Sequence, residues 1–148
     1  MGCQHCSGSQ GVPSVIVADA NVLLYLVCDT PQTELARRVY AADADWAVPI
    51  LWEPEVLNGL LVMHRAGLLE LEDATTAWRN AAMATAGCVH DCNAGSVLDT
   101  AAQTGLSVYD AYYVTLARML NVPLVTEDKK VRRACSDIAR SMRDHVVA

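Results

Sequence analysis

Short apolar runs alternate with longer helical patterns along this 148-residue chain, and that alternation constrains its fold more than any other feature. Strand-like runs occur within Pro13–Asp19, Asp45–Pro49, Cys88–Asp91 and Val122–Thr126. Strands that are separated by helices usually pair in parallel, because each helix carries the chain back across the sheet. The sequence therefore predicts an α/β fold with a central parallel sheet of four to five short strands, flanked by helices on both faces.

The first residues, MGCQHCSGSQG, differ in composition from the rest of the chain. They are rich in Gly and Ser and have neither the basic start nor the apolar stretch of a secretory signal. We expect residues 1–11 to be a flexible tail and residues 12–148 to form one domain. Hydrophobic residues make up 53% of the chain, and no window reaches the ~18 unbroken apolar residues that a membrane helix needs. The sequence thus predicts a cytoplasmic protein that does not contact the membrane.

Six cysteines raise the question of a metal site. Two pairs, Cys3 with Cys6 and Cys88 with Cys92, each flank a histidine, and two such pairs together are typical of structural zinc sites. A disulfide framework is not expected without a secretory signal. Because the first pair lies in the tail and the second in a strand–turn segment, free thiols are the favoured interpretation, and a zinc site is the alternative.

The net charge of −6 is unevenly distributed. Residues 1–110 carry 4 Lys/Arg and 13 Asp/Glu, a balance of −9, whereas residues 111–148 carry 7 and 4, a balance of +3. An acidic protein does not attract nucleic acid by its overall charge. Binding is still compatible with this charge if several carboxylates hold metal ions, which reverse the sign of the local potential.

Two carboxylates follow predicted strands. Asp19 ends the first apolar run, and Asp128 comes two residues after Thr126, at the end of the fourth. The carboxyl ends of parallel strands lie at one edge of a sheet, where open α/β folds place their ligand sites. We therefore expect Asp19 and Asp128 to reach the same edge.

Two further carboxylates lie in the first turns of predicted helices. Glu55 shares a helix face with Asn58, and Asp110 shares one with Tyr113, so each acid leads a face that is otherwise expected to be buried. Taken singly, these acids have structural explanations, since Asp caps helices, anions favour helix N-termini and Asp is common in turns. Taken together, four carboxylates near a buried crevice repel one another, and a hard divalent cation such as Mg²⁺ or Mn²⁺ relieves that repulsion.

Four segments carry a resemblance to a known family. The segments VADANVLLY, PEVLNGL, SVYDAYYVTLAR and PLVTEDKKV resemble, in order, the four acidic motifs of PIN-domain ribonucleases. The resemblance extends from about Val12 to the end of the chain and is closest to the single-domain VapC-like toxins of type II toxin–antitoxin systems. It implies that the catalytic, metal-binding residues are Asp19, Glu55, Asp110 and Asp128.

The resemblance also implies supporting residues. Asn21 matches the polar residue after the first acid, and Thr126 matches the hydroxyl residue that supports the last. Glu53 and Glu127 are neighbouring acids that compete with Glu55 and Asp128 for the motif positions; the spacing to Asn58 and Thr126 favours the latter pair.

The function that this resemblance implies is hydrolysis of RNA phosphodiester bonds with Mg²⁺ or Mn²⁺, by a toxin that forms homodimers and is inhibited by a cognate antitoxin protein. The metal-bound water would act as the nucleophile, and the products would carry a 5′-phosphate and a 3′-hydroxyl. Five basic side chains could guide the RNA, with a solvated surface as the alternative interpretation: Arg118, Lys129, Lys130, Arg132 and Arg133.

Two other functions remain open from the sequence. A PIN-type nuclease could act on DNA or mature a precursor ribosomal RNA. A non-catalytic, acidic interaction module is also possible, in which the carboxylates do no more than cap helices.

Overall fold

The computed structural model describes residues 15–147, and the tail expected over residues 1–11 lies outside them. Five strands run in chain order, β1 (Val15–Ala18), β2 (Asp45–Pro49), β3 (Val89–His90), β4 (Leu124–Val125) and β5 (Ala139–Arg140). The helices are α1 (Ala20–Val27), α2 (Thr33–Ala42), α3 (Trp52–Arg65), α4 (Leu71–Ala84), α5 (Ala94–Thr104), α6 (Val108–Leu120), α7 (Lys129–Ala134) and α8 (Met142–Val147).

All strand pairs in the sheet are parallel, and the order of the strands is β3-β2-β1-β4-β5. In the pairing of β1 with its two neighbours, Val17 lies opposite Ala47 of β2 and Leu124 of β4. The α/β fold with a parallel sheet that the alternating pattern predicts is therefore confirmed. Because β1 is central and β4 is its neighbour, the residues that follow these two strands emerge side by side.

The two faces of β1 contribute to separate cores. Val15 and Val17 pack with residues of α5, α6 and α7, whereas Ile16 and Ala18 pack with residues of α1, α2, α3, α4 and α8. Alternate residues of a strand point to opposite faces, so a strand covered on both sides must be apolar throughout. This requirement explains why the run VIVA contains no polar residue before Asp19.

The fifth strand is the element that the sequence pattern did not identify. The segment from residue 136 to residue 147 reads as short helical or mixed pieces, yet Ala139 and Arg140 pair with Leu124 and Val125. Two residues are too few to show a strand period, and only the neighbouring β4 makes them a strand.

The cysteines of the described part of the chain are buried rather than gathered around a metal. Cys28, Cys92 and Cys135 are free thiols, as expected, but Cys88 is disulfide-bonded, so the expectation of a free thiol there is wrong. Within residues 15–147, no group of three or more His, Cys, Asp or Glu side chains is arranged to hold a metal ion directly. The zinc alternative thus gains no support from Cys88 and Cys92, and Cys3 and Cys6 lie outside the described residues.

Over the same residues, no helix combines the length and apolarity that crossing a membrane requires.

Candidate active site

One open cleft of ≈ 500 Å³ lies at the carboxyl edge of the sheet, and all four acids line it. Asp19 follows β1, Asp128 follows β4, and the first turns of α3 and α6 contribute Glu55 and Asp110. The cleft is completed by Ala20, Asn21, Leu51, Pro54, Asn58 and Tyr109. Four carboxylates that are distant in sequence therefore converge on one concave surface.

Asp19 is held in place by three hydrogen bonds. Its backbone N–H donates to the carbonyl of Val125 on β4 at 3.1 Å. One carboxylate oxygen caps α1 by accepting from the Ala20 N–H at 2.8 Å, and the other accepts from the Thr126 hydroxyl at 2.6 Å. Asp19 thus caps a helix, as the alternative interpretation of the sequence suggested, and it also lines the cleft.

The environment of Asp19 opposes its ionisation. Burial raises the pKa of its carboxyl to about 6, against the lowering effect of the Thr126 and Ala20 hydrogen bonds. The negative charges of Glu55 and Asp110 raise it further. A raised pKa of this kind in a cleft marks a candidate functional group. Burying a carboxylate beside like charges costs free energy, and a residue with only a structural role has no need of such a placement.

Glu55 depends on a tyrosine from another helix. The Tyr113 hydroxyl on α6 donates to Glu55 Oε1 at 2.7 Å, and the tyrosine side chain is only 2% exposed. Burial raises the pKa of Glu55, the Tyr113 hydrogen bond lowers it, and the charge of Asp110 raises it. Burial, then the charges of Glu55 and Asp19, raise the pKa of the Tyr113 phenol, which therefore remains a neutral donor.

Asp110 and Asp128 form the other side of the cleft. Burial is the main cause that raises the pKa of Asp110, and the charge of Asp128 also raises this pKa. The hydrogen bond with Ser107, the residue that caps α6, and the charge of Lys130 lower it. Asp128 caps α7, because Oδ1 accepts from the backbone N–H groups of Lys130 at 2.9 Å and Val131 at 3.4 Å. The structure thus brings the two acids within electrostatic range of each other.

Thr126 connects the two acids that follow strands. Its hydroxyl donates to Asp19 Oδ2 and accepts from the Asp128 N–H at 3.1 Å, and the side chain is fully buried. Asn21, the other supporting residue suggested by the motifs, accepts from the Glu127 N–H at 3.4 Å and lines the cleft. Both residues therefore lie where they can orient the loop between β4 and α7.

The two competing acids have other partners. Glu53 Oε2 accepts from the indole N–H of Trp78 on α4 at 2.8 Å, and Glu127 Oε2 accepts from the Met142 N–H of α8 at 2.9 Å. Neither lines the cleft. The predicted motif residues Glu55 and Asp128 line it instead.

The basic residues divide between two regions. Lys130 is close enough to the cleft to lower the pKa of Asp110, and Lys129 and Arg133 are exposed on the same short helix. Arg132 instead donates to the carbonyl of Glu127 at 3.5 Å. Arg118 is not brought to the cleft: it lies in the last turn of α6 and pairs with Asp137 at 3.7 Å.

Tyr113 and Tyr109 are the site residues to which the sequence assigned no role. Tyr113 lies one helical turn after Asp110 on the same helix face. This spacing was the one sequence feature that could have pointed to a role for Tyr113 beside the acid. Its partner Glu55 is 58 residues away in sequence, so the hydrogen bond itself could not be read from any local pattern.

The donor set of the cleft fits a hard cation. Carboxylate and amide oxygens are the ligands of Mg²⁺ and Mn²⁺, and Mg²⁺ is bound through one or two carboxylates while it keeps several waters. Such a site does not need three side chains that ligate the ion directly. Among the described residues no such group of three is present. Burial is the main cause of the raised pKa values of Asp19, Glu55 and Asp110, and the charge of a neighbouring acid adds to each, which is the repulsion that a bound cation would relieve.

Replacing Asp19 by Asn should maintain or raise the stability of the metal-free protein at pH 8. The folded-state pKa of about 6 lies above the ordinary 3.8, so the stability linked to this group is fully present below pH 3.8 and is lost as pH rises through about 6. The full shift corresponds to about 3 kcal/mol as an upper limit. In urea unfolding with EDTA, the advantage of D19N over the wild type should shrink from pH 8 to pH 5, whereas D99N on the exposed face of α5 should show no such trend. A clear loss of stability in D19N at pH 8 would contradict a clustered site.

Replacing Thr126 by Val should destabilise the protein. The change preserves the shape of the side chain but leaves the Asp128 N–H and an oxygen of Asp19 without their partner, which costs about 1–3 kcal/mol for buried groups. T126S keeps the hydroxyl and is the matched control. Denaturant unfolding at pH 7 should separate the two variants, and equal stability of T126V and T126S would show that the hydroxyl does not connect the two acids.

Comparison with known proteins supports a family assignment. The PIN domain family model matches residues 16–136, whereas no curated protein matches. Among solved structures, the fold is similar to the crystal structure of PAE2754 from Pyrobaculum aerophilum, with a TM-score of 0.73 and 22% sequence identity over 94% of this chain and 92% of that one. At this identity the structural likeness concerns the fold alone. The family model covers most of the chain, and the chain therefore belongs to the PIN-domain family.

Proposed function

We propose that this protein is a metal-dependent endoribonuclease. PIN domains are generally metal-dependent nucleases, and the observation that carries the proposal is the convergence of Asp19, Glu55, Asp110 and Asp128 on one cleft. Burial raises the pKa values of Asp19, Glu55 and Asp110, and the negative charge of another acid in the cleft raises each of them further. In a non-catalytic interaction module, nothing would require acids to be placed where they repel one another.

The four acids would hold one or two Mg²⁺ or Mn²⁺ ions, in part through waters that the ions retain. When bound, such an ion lowers the pKa of a coordinated water and stabilises charge on the scissile phosphate and the leaving oxygen. Thr126 and the Ala20 N–H orient the Asp19 carboxylate, and Tyr113 orients that of Glu55. Because these partners donate to the carboxylates, they favour the ionised forms that bind cations.

The basic residues of α7 support the binding of a phosphate backbone. Lys129 and Lys130 directly follow Asp128, Arg133 lies on the same helix, and Lys130 already acts electrostatically on Asp110. Phosphate contacts position a nucleic acid without reading its sequence. The proposal leaves out Arg118, which is engaged with Asp137, and gives Arg132 the structural role of holding the loop at Glu127.

Cleavage assays on matched single-stranded RNA and DNA oligonucleotides, with Mg²⁺ or Mn²⁺, test this function. We expect RNA to be cleaved, and we expect E55Q and D110N to lose more than about 100-fold in kcat/KM, because even groups that only support metal ligands account for 10–100-fold. Mn²⁺ binding by calorimetry should weaken in parallel. E53Q and D99N are the matched controls, since Glu53 bonds to Trp78 and Asp99 is exposed on α5.

The outcomes distinguish the alternatives. Activity in D110N, or an equal loss in E53Q and E55Q, would contradict catalysis in this cleft. Cleavage of DNA in preference to RNA would keep the nuclease and change its substrate. Absence of cleavage and of Mn²⁺ binding in the wild type would favour the interaction module.

We further propose that the protein is the toxin of a toxin–antitoxin pair, acting as a homodimer in the cytoplasm and inhibited by a cognate antitoxin protein. The resemblance of its motifs to VapC-like toxins supports this role. An apolar groove of ≈ 240 Å³ between α3 and α4 supports a protein interface; it is lined by Leu57, Leu60, Leu61, Leu71, Ala74, Thr75 and Trp78. Leu57 and Leu71 are exposed there, as is common at protein-binding surfaces.

Expression in a bacterial host tests the toxin role. We expect the wild-type chain to arrest growth. D110N, at the same protein level, should allow growth, because losing this one carboxylate of the cleft removes the activity. Co-expression with a small protein encoded immediately beside the gene should restore growth of the wild type. Normal growth with the active wild-type nuclease would favour a role in RNA maturation instead.

A further inference from the structure

Tyr109 is the one aromatic residue of this chain that is exposed. The sequence contains five Tyr, three Trp and no Phe, and all eight lie within the described residues. Seven are buried or half-buried, whereas 65% of Tyr109 is exposed. Exposure of a single apolar side chain is ordinary in itself, so its location decides whether it has a role.

The location of Tyr109 is the carboxylate cleft. It is the second residue of α6, directly before Asp110, and it lines the cleft with all four acids. The neighbouring wall formed by Leu51, Pro54 and Asn58, around the start of α3, is partly apolar. An aromatic ring therefore lies beside the place where the scissile phosphate would bind.

The backbone under Tyr109 is well anchored. Ser107 caps α6 by accepting from the Asp110 N–H at 3.1 Å, and the next residues, Ala111 and Tyr113, are buried in the core. No hydrogen bond joins the Tyr109 hydroxyl to any of residues 15–147. The ring thus projects from a rigid helix start and is not needed to hold the fold together.

The acidic surroundings explain the value of an aromatic ring at this position. Carboxylates repel the phosphates of a nucleic acid, so part of the binding must come from contacts that do not depend on charge. Stacking of a base on an aromatic side chain is such a contact, and it strengthens binding by about 5-fold to 150-fold per base. Bases inside a duplex are already stacked on their neighbours, so only an unpaired nucleotide can make this contact.

We propose that Tyr109 is the stacking platform for an unpaired nucleobase next to the scissile phosphate. This inference rests on the proposed ribonuclease function and assigns a substrate-positioning residue to the same cleft. Asp110 and Tyr109 are adjacent in sequence and lie about 100° apart around the helix axis, so one helix turn can serve both the metal and the base.

Binding and cleavage of RNA oligonucleotides that carry 2-aminopurine beside the cleavage site test the proposal. Stacking on the ring should quench the fluorescence of the bound wild-type complex. Y109A should abolish the quenching and raise KM by about 5-fold to 150-fold, with a much smaller change in kcat and no change in Mn²⁺ binding. Y109F, which keeps the ring, should restore both quenching and KM, whereas Y109L, which keeps only apolar area, should not.

Two controls make the result specific. M119A removes an exposed apolar side chain near the other end of α6, 55% exposed, and should change nothing. The same RNA annealed to its complement should be cleaved poorly by the wild type, and Y109A should reduce the preference for the single strand.

The outcomes distinguish failure of the stacking role alone from failure of the nuclease function. If the wild type cleaves RNA but Y109A matches it, or Y109L matches Y109F, the stacking role is wrong and the nuclease function stands. If the wild type neither binds nor cleaves RNA, both fall together.

Discussion

Repulsion among carboxylates gathered at the carboxyl edge of a parallel sheet is the constraint on which the rest of this site depends. Burial raises the pKa of Asp19 to about 6, and its acidic neighbours oppose its ionisation further. The fold withstands this because neutral donors surround the acids: Thr126 bonds to Asp19, and Tyr113 bonds to Glu55. The protein thereby maintains a concentration of negative charge that a cation can neutralise.

The same acids also have ordinary structural roles. Asp19 caps α1 and Asp128 caps α7, while Glu55 and Asp110 lie in first helical turns, where the helix dipole favours anions. Structural and functional interpretations are therefore not alternatives here. When helices begin at the same sheet edge, their free backbone N–H groups stabilise carboxylates placed there. These N–H groups offset part of the free energy that burying the carboxylates costs.

Tyr109 and Tyr113 show how position on one helix separates two uses of the same residue type. Tyr113 lies on the buried face of α6, where its hydroxyl serves as a donor to Glu55. Tyr109 lies one turn earlier, at the start of the helix, and exposes its ring in the cleft. The proposed recognition of an unpaired base and the orientation of the Glu55 carboxylate would thus depend on a single helix.

The sequence alone determined the parallel α/β fold, through apolar runs such as VIVA that must be covered on both faces. It also led to the prediction that four acids share one site, because each interrupts or leads a surface expected to be buried. Only the tertiary structure decided what no local pattern encodes. The two-residue strand β5 exists because β4 lies beside it. Glu53 bonds to Trp78 of another helix and does not line the cleft, and Glu55 is oriented by a tyrosine 58 residues away. Periodicity reports which face a residue lies on, whereas a partner from a distant element is fixed only when the chain packs.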